Sequence, residues 1–115
     1  MNLTLSGNTR RQRYDLHELL RRARCLNDVY VSNHFAERCL ERNVDPVDVL
    51  WCIKPMLDVL RNSTYNDRKM LSCHRGVKVV GKIYTDSRFN RRRICLKTVI
   101  DSVGNNDYFD DIFTK

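Results

Sequence analysis

The sequence predicts an α+β domain in which three helices come first and a curled, mainly antiparallel sheet of about four strands follows, with the helices packed on one face. Three observations carry this expectation. Apolar residues recur at helical spacing as far as Trp51, then at alternating spacing between Lys69 and Ile100. Pro46, Pro55 and Gly76 stand at the expected boundaries.

Residues 1–13 are polar and close with Arg10, Arg11 and Arg13, which reads as a basic arm ahead of a single domain over 14–102. Asp15 caps a first helix running to about Asn27, with Leu16, Leu19, Leu20 and Ala23 at core spacing and His17, Arg21 and Arg24 on its wet side. Ser32 is the N-cap of a second helix ending near Asn43. Asp45-Pro46 followed by Asp48 starts a third, combining a capping carboxylate, a first-turn proline and an acid favoured by the helix dipole. Pro55 is expected to stop it, and Met56 to Arg61 then reads as a short strand. Lys69 to Cys73 and Val77 to Thr85 form a hairpin around His74-Arg75-Gly76, and Arg93 to Ile100 is the last strand after an Asp86–Arg92 loop. Segment 103–115 mixes Tyr108, Phe109, Ile112 and Phe113 with acids, and is either an edge element or an extension that docks on a partner protein.

Composition narrows the function classes. Within 115 residues no apolar run approaches the roughly 20 needed to span a bilayer, and no secretory leader is visible, so a cytoplasmic protein without membrane contact is expected. The net charge is +7, and four acids against one base from Asp101 onward leave +10 on residues 1–100. That balance favours a polyanion, nucleic acid first. Five cysteines without any CxxC spacing argue against zinc and for reduced structural thiols; neither metal nor cofactor is expected.

The most informative stretch is Val31 to Pro46. As a helix it places His34, Arg38 and Arg42 on one face and Phe35, Ala36, Cys39 and Leu40 on another. Arginines that grip a phosphate beside a histidine that titrates near neutrality suit phosphodiester chemistry. The alternative is a solvated face on which Glu37 and Glu41 pair with those arginines. In the sheet, alternation puts Lys78, Lys82, Tyr84, Arg93 and Lys97 away from the helices, with Ile94, Leu96, Thr98 and Ile100 facing them. The Arg88–Arg93 loop adds Arg91 and Arg92 around Phe89. Cations beside stacking aromatics are the components of single-stranded RNA recognition. Metal-free RNA cleavage needs a base for the 2′-OH, an acid for the leaving 5′-oxygen and cations on the phosphate. His34 and His74 are the candidate proton carriers and Arg38 and Arg42 the charge stabilisers.

Ser32-x-His34-x-x-x-Arg38-x-x-x-Arg42, a short turn, Asp45-Pro46-x-x-Val49 and the strands that follow resemble a family of small bacterial and phage domains grouped with the RelE/BrnT-like toxin ribonucleases. Over about residues 29–100 the chain is also similar to the RegB-type endoribonucleases of phages. The resemblance implies a catalytic role for His34. In RegB-type enzymes the next helix supplies a second histidine, and Lys54 stands at that place here. Either His74 substitutes for it, or Lys54 stabilises charge without moving a proton, or the chain binds RNA without cutting it. RelE-like enzymes work with arginines, lysines and a tyrosine on the sheet, a style that Lys82, Tyr84, Arg93 and Lys97 match by residue type. The expectation is therefore a metal-independent endoribonuclease of toxin or phage type on single-stranded mRNA, ribosome-associated or free. The alternative is a non-catalytic RNA- or protein-binding module, such as a phage factor acting on host machinery.

Overall fold

Helix boundaries in this chain follow from capping groups. In the computed structural model, which describes residues 16–101 and 108–114, helix α1 is seen over 16–22, α2 spans Asn33–Glu41 and α3 spans Pro46–Asn62. The basic arm, Asp15 and residues 102–107 of the acidic segment lie outside the described residues. Ser32 caps α2 by accepting from the Phe35 amide at 3.1 Å, and its hydroxyl donates to the Leu96 carbonyl at 2.8 Å, tying the helix to the sheet. Asp45 caps α3 through the Val47 amide at 2.9 Å. Both short helices end in the same left-handed motif. Arg24 and Asn43 take φ of 60° and 54°, and the amides of Cys25 and Val44 reach back to the carbonyls of Leu20 and Cys39. That stop ends α1 short of the Asn27 expected from its apolar spacing, and a 3-10 turn, Leu26–Asp28, follows.

α3 departs from expectation. Pro55 does not end it, and Met56 to Arg61 is helix rather than strand. Proline removes one hydrogen bond and crowds the preceding turn, at about 3 kcal/mol. Met56, Leu57 and Leu60 beyond it are buried at 0%, 6% and 6% exposure. Each contributes roughly 1.5–3 kcal/mol by leaving water, so the continued apolar stripe outweighs the break.

Five strands form one mixed sheet in the order β1-β4-β3-β2-β5. They are β1 (Val29–Val31), β2 (Lys69–His74), β3 (Val77–Asp86), β4 (Arg91–Ile100) and β5 (Asp111–Phe113). The central pairings β2·β3 and β3·β4 are antiparallel, while both edge strands add in parallel. The α+β class and three helices agree with the sequence reading, but the sheet has five strands rather than four, and its edges are parallel. The edge strands are three residues long, too short to show a period, and that is why sequence alternation misses them. The acidic segment thus contributes an edge element. Arg68 holds Asp111 at 2.6 and 3.0 Å, and the Lys69 amide donates to Asp110 at 2.8 Å.

The hairpin turn is Arg75-Gly76 with φ of 51° and 83°, so both turn residues are left-handed, as a two-residue connection of right-twisted strands requires. All helices cover one sheet face, where Phe35, Ile53, Met56, Met70, Ile83, Ile94 and Leu96 are fully buried. Gly81 lets α3 settle onto the sheet, since a Cβ there would stand 3.0 Å from the Met56 sulfur. A bulge between Val80 and Gly81 places Leu96 opposite Gly81 and Thr98 opposite Val80. The extra residue, Lys97, reverses the faces expected beyond it. Val99 is buried at 3% exposure, while Thr98 and Ile100 pass to the open face.

Candidate nucleic-acid interface

The sequence-derived site residues separate into three places. On α2, His34 is exposed, and among the described residues it has no hydrogen-bond or ion-pair partner. Arg38 pairs with Glu41 at 3.3 Å, and Arg42 pairs with Asp101. Each guanidinium thus has an acid of its own, one from the helix and one from the end of β4. The solvated-face alternative describes Arg38; Arg42 serves to fasten α2 to the strand.

The second place is the start of β4. Beyond the expected bounds β3 runs one residue and β4 two residues further at the turn, so Arg91 and Arg92 join Arg93 in a strand and do not lie in a loop. Arg91 reaches Asp28 at 2.5 Å, a carboxylate it shares with Arg61. Arg92 donates to the carbonyls of Leu60 at 2.8 Å, Tyr65 at 2.7 Å and Ser63, closing the C-terminal end of α3. Arg93 is 8% exposed, and its three nitrogens contact Asp86 at 2.9 Å and the carbonyls of Asn27 and Val29 at 2.9 and 3.0 Å. Arg92 and Arg93, expected to hold RNA, are therefore internal fasteners. Burial alone would raise the Asp86 carboxyl. Hydrogen bonds from Arg93, the Arg88 amide and Tyr84 more than offset this and hold it below the usual carboxylate range.

The third place is the open sheet face. Register puts Tyr30, Cys95, Lys82 and Lys69 in one row across β1, β4, β3 and β2. At about 4.8 Å per strand that row is roughly 14 Å long. Lys69 and Lys82 stand directly opposite one another, an arrangement of like charges that costs stability in an antiparallel pair. Asp67 lies 3.5 Å from Lys82 and partly neutralises it. Lys82, Tyr84, Arg88, Cys95 and Lys97 border a cleft of ≈ 500 Å³ with Tyr30. Beneath it the Arg93 guanidinium sits 6.0 Å from the Tyr30 ring and 4.9 Å from the Phe89 ring. Tyr30 and Phe89 remain 41% and 58% exposed, so the buried cation orients both rings without hiding them. Burial raises the Tyr84 phenol, as does its hydrogen bond to Asp86 at 3.1 Å, so this group is a donor and not a base near neutral pH. Lys78 lies further along the same face, opposite Ile100.

His74 and Lys54 belong to none of these three places. They meet at Trp51 of α3, on the helix side of the sheet. The His74 ring stacks on the indole with centroids 5.7 Å apart and planes 24° apart, and the Lys54 ammonium lies 4.2 Å over it. Trp51 closes the run of helically spaced apolar residues and stands at i, i+3 from Lys54, which is legible in the sequence; the approach of His74 comes only with the fold. His34 does not line this cleft, so the two histidines are not gathered at one pocket.

Cys25, Cys39 and Cys52 are buried, and burial pushes Cys39 and Cys52 up to about 12. Among the described residues no group of three or more His, Cys, Asp or Glu gathers as a metal site would require, and no helix is long and apolar enough to cross a membrane. Compared with protein-family models, curated proteins and solved structures, the chain finds no match.

Proposed function

We propose that this protein binds single-stranded RNA across the open sheet face, in a RelE/RegB-like arrangement whose sheet curls around the strand. The observation that carries this reading is the Lys69–Lys82 pairing inside a row that ends at exposed Tyr30. The two lysines bring a pair of cations to one spot of the face, where a phosphate chain laid across the row meets both. Lys97, at the bulge, adds a third cation, and the bulge's extra twist deepens the face around it. Tyr30 and Phe89 supply stacking platforms. The substrate class is cytoplasmic mRNA, met free or on the ribosome.

Labelled single-stranded RNA titrated at several salt concentrations tests this. Affinity falls linearly in logarithmic salt, and Lys69→Glu with Lys82→Glu weakens binding at least about tenfold. Binding that ignores both changes removes the open face from consideration.

A second reading, metal-independent cleavage of the bound strand, is favoured by the gathering of Lys82, Tyr84 and Lys97 at one cleft. In that step the 2′-oxygen attacks the phosphorus and gives its proton to water, the lysines neutralise the phosphate, and the Tyr84 phenol turns from Asp86 to protonate the leaving 5′-oxygen. RNA incubated with the protein in EDTA then yields 2′,3′-cyclic phosphate ends. Loss of cleavage in Tyr84→Phe supports the sheet-face chemistry; loss in His34→Ala, with Tyr84→Phe active, returns the chemistry to α2. Intact RNA in every arm leaves a binding protein.

A further inference from the structure

The cleft on the other side of the sheet is independent of that face. It lies between α3 and the end of β5, has a volume of ≈ 640 Å³, and Trp51, Lys54, Asp58, Ser72, His74 and Phe113 are among its walls. That size suits one nucleotide. Three features distinguish it from an ordinary surface hollow.

Trp51 is 49% exposed although it belongs to a helix whose buried stripe runs through Val49, Cys52, Ile53 and Met56. An indole of which half remains in water, held in place by a stacked imidazole, is an aromatic platform. Lys54 touches that ring and, among the described residues, no carboxylate pairs with it. This contrasts with Arg38, Arg42, Arg61 and Arg91, each of which has an acid. Finally, among the described residues β5 pairs with β2 only along Met70, Leu71 and Ser72. The edge of β2 therefore continues past its neighbour at Cys73 and His74, bringing backbone amide and carbonyl groups to the cleft wall. A flat ring, an ammonium that no carboxylate neutralises and main-chain hydrogen-bonding groups are the requirements of a nucleotide site.

We propose that this cleft binds one nucleotide unit, the base lying on Trp51, its edge read by the β2 backbone and Asp58, and its phosphate taken by Lys54. The exposed Lys54 arm swings from the indole to the phosphate as the base arrives. The same chemistry is offered by a free mononucleotide and by one residue of an RNA strand that has turned around the sheet edge.

Trp51 is the only tryptophan of the chain, so its emission reports this site directly. The full-length protein is titrated with adenosine 5′-monophosphate and, separately, with a ten-residue oligoadenylate. Saturable quenching by either ligand is expected. Lys54→Ala should raise the dissociation constant about tenfold, the effect of losing one charge-assisted contact. Lys69→Glu with Lys82→Glu should leave mononucleotide quenching unchanged, so a failure of the open-face reading is distinguishable from a failure here. Quenching by the mononucleotide identifies a free-nucleotide site. Quenching by the oligonucleotide alone identifies a base of the RNA strand. Absence of saturable quenching by both, or identical quenching in Lys54→Ala, overturns the proposal.

Discussion

The arginines of β4 and the lysines of the open face are neighbours in sequence and in space, yet they do opposite work. Arg92 and Arg93 have six protein oxygens within reach between them, five of which are main-chain carbonyls at the close of α3 or beside β1; the sixth is the Asp86 carboxylate on Arg93. Lys82 on the neighbouring β3 and Lys97 further along β4 look outward, and Lys82 has a single exposed acid near it. A guanidinium with five donors in a fixed fork can satisfy several carbonyls at once, which suits it to closing helix ends and buried corners. An ammonium on a flexible arm makes a mobile surface contact. Positive charge in a run therefore says little about ligand binding until the nearby acceptors are known.

The contrast can be broken by substitution. Arg93→Ala should have the largest effect, because it strands Asp86 and two carbonyls in a buried corner. A melting temperature lower by on the order of 10 °C is expected in thermal unfolding, together with disordered Tyr30 and Phe89. An unchanged melting temperature would return Arg93 to the candidate ligand contacts. Arg92→Ala should cost about 2 kcal/mol in denaturant unfolding, through three carbonyls at the end of α3. Asp86 supplies a pH test. Its folded-state pKa is depressed below the unfolded one, so its stabilisation is complete above about pH 4 and is lost as pH falls through the folded value. Asp86→Asn should flatten that acid limb. Lys97→Ala should be smallest in stability, with the melting temperature unchanged within error, while RNA affinity drops about threefold and the salt slope decreases by about one.

A similar contrast separates α2 from the cleft at Trp51. The His34, Arg38 and Arg42 spacing is the strongest pattern in the chain, and helical geometry does place α2 as expected, capped by Ser32. The pattern could not reveal Asp101, which arrives from the far end of β4 and occupies Arg42. Conversely His74 and Lys54 are twenty residues apart with nothing local to link them, and the packing of α3 on β2 brings both to Trp51.

Local chemistry is legible in the chain because it acts over a few residues. Caps at Ser32 and Asp45, the left-handed turn at Gly76 and the alternation of β3 all reach no further than four positions, and each is where the sequence places it. Strand addition at the two edges, the helix carried through Pro55, the face reversal at Lys97 and the partners of Arg42, Arg91 and Arg92 depend on groups distant in sequence. These were decided by burial and by which acceptors folding brings near, quantities that exist only once the chain has closed on itself.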